Sequence, residues 1–164
     1  MQKIVRKSKG FTIIEVLIVL AIAGLIMVVV FLAVPSLQRA GRNNAYSTNA
    51  NNILSAVNTY MVNNNGTTPG YVSNPTVGKV SVSLASGSTT DNKESANVDA
   101  GLTTSSLVLG TAIPTTKPAP GVLYVVVKAI CSGNAPVSST SGRALAVWYG
   151  AESGSGDIAE CIGS

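Results

Sequence analysis

Residues 6–34 of the chain, RKSKGFTIIEVLIVLAIAGLIMVVVFLAV, decide its fold. Positions 11–34 form an apolar run in which Thr12 and Glu15 are the polar interruptions. As an α-helix this run spans about 36 Å, which exceeds the hydrocarbon thickness of a bilayer, about 30 Å. The apolar core of a secretory signal is much shorter, about 7–15 residues. The run therefore predicts a membrane-spanning helix.

The ten residues before the run are basic. They contain four of the chain's eleven basic residues and no acidic one, which leaves seven basic against seven acidic residues from position 11 onward. Such a leader predicts that the N-terminus is cytoplasmic and that the C-terminal part lies outside. Because the positive excess belongs to the leader, the basic pI of about 9.2 does not indicate nucleic-acid binding, although it leaves it possible.

Composition also limits the chemistry. The chain has no histidine, which excludes His-based triads and His-ligated metal sites, and it has no phosphate-binding glycine loop. Its acidic residues do not follow EF-hand spacing. We therefore predict no enzyme, no cofactor and no metal. Three features are interpreted as structural, each with a functional alternative. Trp148 and Tyr149 are interpreted as sheet packing, with a ligand platform as the alternative, and Asn65-Gly66-Thr67 as a turn at a helix end, with a glycosylation site as the alternative. Solvated turn residues, with calcium ligands as the alternative, are predicted at Asp91, Glu94, Asp99, Glu152, Asp157 and Glu160.

The helix is predicted to continue beyond the apolar run. From Ala50 onward apolar residues recur at helical spacing, as far as Tyr60 and Met61, and the predicted stripe also includes Leu37 and Ala40. Arg39, Arg42, Asn43, Asn49 and Asn51 are predicted to lie largely off this stripe. The sequence NNNG at 63–66 predicts a C-cap. We expect one helix from about 11 to 64, bent at Pro35, with Gly24 as a candidate hinge.

The remainder is rich in turn residues and short β-branched runs. Strands are predicted at 79–85, 106–112, 121–131 and 143–151, with a hairpin-type loop between the last two. The predicted class is α+β, with the long helix packed on a C-terminal antiparallel sheet. The predicted segments are a leader at 1–10, a membrane or filament-core helix at 11–34, an amphipathic helix at 35–65 and a head domain at 66–164.

Gly10, Phe11 and Glu15 form the constellation with functional content. A carboxylate within a membrane span costs several kcal/mol and usually marks function. Cleavage after Gly10 would create an amine at Phe11, four residues before Glu15. That amine could neutralise Glu15 of the same chain or of a neighbouring one.

In these residues the chain resembles the type IV pilin family and the related type II secretion pseudopilins. The resemblance implies that a prepilin peptidase cleaves between Gly10 and Phe11 and methylates the Phe11 amine, and that Glu15 serves assembly. It is close over residues 6–35, and beyond them it extends only to architecture. It implies a single-pass precursor in the inner membrane, surrounded by lipid, which the pilus assembly machinery then builds into an extracellular homo-oligomeric filament.

Cys131 and Cys161 predict a disulfide if the head is exported, and two free buried thiols are the alternative. In pilins such a pair often bounds a C-terminal loop. Two other functions stay open: a minor pilin or pseudopilin of a secretion or DNA-uptake system, and an anchored exported domain that never polymerises.

Overall fold

The computed structural model describes residues 10–72, 79–83, 93–97, 107–110 and 112–163. These form one long helix and nine short strands, so the predicted α+β class is confirmed. The elements are α1 (Ile13–Asn63), β1 (Tyr71–Val72), β2 (Lys79–Ser83), β3 (Glu94–Asn97), β4 (Leu107–Gly110), β5 (Leu123–Val127), β6 (Ala129–Ser132), β7 (Ala135–Ser138), β8 (Leu145–Ala151) and β9 (Ile158–Gly163). Apart from Gly10, the predicted leader lies outside the described residues, as do Asp91 and Asp99.

Helix α1 agrees with the predicted helix to within two residues at its start and one at its end. It ends in a Schellman motif: Asn65 has a φ of 54°, and the Gly66 N–H donates to the Met61 carbonyl oxygen at 2.6 Å. The predicted C-cap is therefore confirmed. The helix continues through Gly24 and Pro35, and the bend and the hinge stay predictions.

The chain divides into two compact units, one ending at Gln38 and the other beginning at Arg39. The first unit is the N-terminal part of α1, and its described residues are all exposed. An 18-residue window there has a mean hydropathy of 3.3, so the helix is long and apolar enough to cross a membrane. The second unit contains the rest of α1 and all the described strands.

The second unit is built around a four-stranded sheet in the order β4-β5-β8-β9. Strand β8 is antiparallel to both its neighbours, with Val147 opposite Val125 on one side and Ile162 on the other. Alternate side chains of β5 and β8 point to opposite faces. One face packs on the α1 residues Ile53, Val57 and Tyr60. All seven residues of β8 are buried, because the sheet is covered on its second face as well.

The β6–β7 hairpin supplies that second cover. It pairs Ile130 with Val137, and its inner side contributes to a small cluster around Val126, Ala129 and Ala146. Strands β1, β2 and β3 form a separate antiparallel sheet, which adds Val80 and Val82 to the main core.

The predicted head differs from the structure in four ways. The predicted strand 121–131 is interrupted at Lys128, whose φ of 58° separates β5 from β6. The predicted loop 132–142 contains β7. Strand β4 pairs with β5 in parallel, although we expected an antiparallel sheet. Strands β1, β3 and β9 were not predicted.

The predicted stripe of α1 is correct from Ala50 onward and wrong before it. Leu37 and Ala40 are exposed. The side chains of Arg42 and Asn43, predicted to lie off the stripe, instead contact the end of β8. Asn49, also predicted off it, is buried. The helix therefore meets the sheet through a polar segment before its apolar segment begins.

Candidate processing and assembly site

Thr12 and Glu15 form a capping box at the start of α1. The Thr12 N–H and hydroxyl both donate to Glu15 Oε2, at 3.0 and 2.8 Å, and the Glu15 N–H donates to Thr12 Oγ1 at 3.3 Å. This reciprocal pattern satisfies backbone donors that the first helical turn would leave unpaired. Its sequence signal, a Thr three residues before a Glu, was present in the chain, but our sequence analysis did not use it.

The capping box fixes the direction of the Glu15 side chain, which reaches back by one turn toward the N-terminus. Its carboxylate already accepts a hydrogen bond from the Thr12 nitrogen. The nitrogen of Phe11 is one residue nearer the N-terminus than that of Thr12. In the uncut chain that nitrogen is an amide, and cleavage after Gly10 would make it a charged amine.

Gly10 and Phe11 precede the helix in an open position. Phe11 is 85% exposed, and both residues lie before the first helical residue, Ile13. A Cβ added at Gly10 would meet no atom within 4 Å. The Gly10–Phe11 bond therefore lies outside the helix.

The part of α1 that follows has an apolar surface, which no other described residue of the chain covers. A shallow apolar groove lies beside Gly24, lined by Leu20, Ala23, Gly24, Ile26, Met27 and Val30. A Cβ at Gly24 would meet nothing within 4 Å. Such a surface is compatible with lipid or with other apolar helices, and it is unfavourable in water.

In the second unit, the predicted Cys131–Cys161 disulfide is present, with the two Cα atoms 5.7 Å apart. It joins β6 to β9 and so fixes the hairpin over the sheet. Trp148, opposite Cys161 in the sheet, donates from Nε1 to the Asn134 carbonyl oxygen at 2.8 Å. Trp148 also lies against Tyr124, with ring centroids 6.2 Å apart. The disulfide and Trp148 therefore both hold the hairpin near its tip, at Cys131 and at Asn134.

Arg42 and Asn43 bind Glu152, the residue that directly follows β8. Arg42 makes a bidentate ion pair with Glu152, at 2.7 and 2.6 Å. Asn43 exchanges two hydrogen bonds with the Glu152 backbone, each at 2.8 Å. The hydrogen bonds from Arg42 hold the pKa of Glu152 below its ordinary value. Glu152 was interpreted as a solvated turn residue, and this interpretation is wrong because the carboxylate is paired.

Two other acidic residues have structural contacts as well. The Tyr149 hydroxyl donates to Glu160 Oε2 at 2.6 Å, and burial, followed by this hydrogen bond, raises the pKa of Tyr149. Glu94 accepts from Asn63 at 2.6 Å. Among the described residues, no group of three or more His, Cys, Asp or Glu side chains could hold a metal ion.

The fold and this site define an α+β protein whose exposed apolar helix begins directly after a Gly-Phe junction. Residues 5–31 match the family model of the prokaryotic N-terminal methylation motif, which is the type IV prepilin signature. The motif implies processing by a prepilin peptidase and handling by pilus assembly machinery. Proteins with this signature are structural and not catalytic. No curated protein and no solved structure matches the chain.

Proposed function

We propose that this protein is the structural subunit of a type IV pilus. In this proposal a prepilin peptidase removes residues 1–10 and methylates the new Phe11 amine, and the mature subunits polymerise through their apolar helices. The observation that carries the proposal is the methylation motif at residues 5–31, which extends into an exposed apolar helix.

The exposed helix supports polymerisation. In the precursor, lipid would surround this surface. In a filament, neighbouring helices would replace the lipid, so the apolar surface would stay out of water in both states. The small residues Ala23 and Gly24 leave a groove in which another helix could approach closely.

The orientation of Glu15 supports a role in docking. A charged carboxylate that leaves the aqueous phase needs a partner, because an unpaired buried charge costs far more than a paired one gains. The Phe11 amine of the same chain or of the preceding subunit would supply that partner. The pair would therefore select one register between neighbouring helices.

The capping box allows the charge to be tested separately from the helix start. Glutamine also serves at the third position of a capping box, so Glu15→Gln keeps the cap and removes the charge. Thr12→Val removes the hydroxyl of the cap and keeps the charge. We expect Glu15→Gln cells to contain normal amounts of mature subunit in the membrane and few or no filaments. We expect Thr12→Val to retain more filaments than Glu15→Gln.

Sheared filaments, imaged and quantified by mass spectrometry, provide the measurement. Val28→Leu is the control for general change in the apolar helix. If Glu15→Gln gives wild-type filament yield at normal subunit level, the charge does not direct assembly. If wild-type cells have filaments in which this chain is a trace component, the minor pilin or pseudopilin function replaces our proposal. If they assemble none, the anchored domain replaces it.

A further inference from the structure

The face of α1 that meets the sheet changes chemistry along its length. Between Asn49 and Met61, seven helix residues are buried. Between 39 and 48 none is buried, although the same face continues at helical spacing. Its residues there are Arg39, Arg42, Asn43, Tyr46 and Ser47. We call the ten helix positions 39–48, which include these five residues, the polar segment.

The polar segment is held by side-chain contacts. Arg42 and Asn43 bind Glu152, as described above, and Arg39 Nη1 would lie 3.6 Å from a Cβ at Gly154. Ser47 hydrogen-bonds to Tyr149. The Tyr46 ring is partly buried at the edge of the main core, and it would lie 3.4 Å from a Cβ at Gly121.

The contacts of the polar segment differ in kind from those of helix residues 49–61. Arg42 and Glu152 keep 47% and 23% of their side-chain surface exposed, so water can solvate both charges when they separate. By contrast, releasing Ile53 or Tyr60, which are fully buried, would expose apolar core to water. Opening is therefore much less costly for the polar segment than for residues 49–61.

We propose that helix residues 39–48 form a releasable segment, which is docked on the head through the Glu152–Gly154 turn and can leave it while residues 49–61 stay packed in the core. The boundary is at Asn49 and Ala50, where burial begins. Both states keep the core intact, so this is a local equilibrium within the head. The proposal goes beyond the proposed function, because it concerns the single subunit and does not require a filament.

Two spin-label distances in the full chain in detergent micelles test the proposal. One pair, Asn44→Cys with Ser155→Cys, joins the polar segment to the turn it contacts. The second, Val62→Cys with Lys79→Cys, joins the apolar part of the helix to β2. All four positions are exposed, and Cys131 and Cys161 stay bonded to each other.

We expect the first pair to show a docked distance and a minor, longer one. Arg42→Gln and, independently, Glu152→Gln should enlarge the longer population several-fold. High salt should do the same in the protein that keeps both Arg42 and Glu152, because salt screens an exposed ion pair. The second pair should not change. Arg143→Gln removes the same charge beside Gly66, at the far end of the helix, and should leave both pairs unchanged.

Three results would overturn the proposal. The first is one narrow distance for the first pair that neither variant nor salt alters. The second is equal broadening of both pairs, which would indicate loosening of the whole head. The third is a single long distance in the wild type, which would mean that the segment is not docked. Trp148 fluorescence checks that each variant keeps its folded core.

Discussion

Among the glycines of the described residues, Gly150 is the one at which an added methyl group would meet the closest backbone contact. A Cβ there would lie 2.1 Å from the Ala119 carbonyl oxygen and 2.6 Å from that of Pro118. The chain before β5 runs directly over β8 at this point, and Gly121 N–H bonds to the Gly150 carbonyl oxygen. The glycine is required here by close approach of two backbones.

We predict that Gly150→Ala lowers the free energy of unfolding by about 3 kcal/mol, because a backbone contact this short can be relieved only by moving the chain. Denaturant unfolding, followed by the fluorescence of Trp148, measures the change. Gly142→Ala is the matched control, since a Cβ there meets nothing within 4 Å. Equal stability of the two variants would contradict the close approach.

Residues also show where sequence reasoning was limited. Gly10, Phe11 and Glu15 were recognisable because a carboxylate in an apolar run is costly wherever it occurs. The αL conformation of Lys128 gave no signal, because lysine has no side-chain group that favours positive φ. The partners of Arg42 and Asn43 lie more than a hundred positions away, and helical spacing alone cannot identify them.

At the scale of elements, prediction succeeded where apolar residues formed a long run or a regular stripe. Helix α1 and the buried strand β8 had long, regular apolar patterns. Strand β7 contains Pro136 and occurs in a two-stranded hairpin, where proline is tolerated. Strand β9 contains Glu160 and two small residues, so its pattern is weak, and pairing with β8 creates it. These strands form because of tertiary contacts that the local sequence does not encode.

The disulfide links the weakly encoded strand β9 to the hairpin that contains β7. It joins β6 to β9 across 30 positions. Restricting a loop of that length in the unfolded chain stabilises the fold by about 3–4 kcal/mol. We predict a loss of this size when both Cys131 and Cys161 are replaced by serine, measured by denaturant unfolding. Addition of reductant should lower the wild type toward the double variant and leave that variant unchanged.

The ion pair that joins α1 to the end of β8 should be sensitive to pH. Glu152 has a lowered pKa, through the hydrogen bonds from Arg42 and then the charges of Arg42 and Arg39. A lowered carboxylate pKa stabilises the fold above the ordinary glutamate value and loses this contribution as pH falls through the folded-state pKa.

We therefore expect wild type to be more stable than Glu152→Gln at about pH 7, and the difference to shrink as the pH falls from about 5 to about 3. Unfolding of both proteins over this range measures it. A difference that is constant or grows toward low pH would mean that the charge of Glu152 does not contribute.

At the scale of the whole molecule, the proposed function depends on cleavage of one peptide bond, between Gly10 and Phe11. The apolar helix, the capping box and Glu15 all take their proposed roles from a new amine at Phe11. Because a Cβ at Gly10 would meet no atom of the described residues within 4 Å, Gly10→Val should not disturb the fold. We expect this variant to accumulate in the membrane as a folded, uncleaved precursor, detected by its larger mass. Normal cleavage of Gly10→Val would contradict the assignment of the processing site.

The most direct measurement is N-terminal mass spectrometry of the protein isolated from its native cells. We predict a mature chain that begins at Phe11 and carries a methyl group on its amine. Retention of Met1–Gly10, or a mature chain that begins at any other residue, would contradict it.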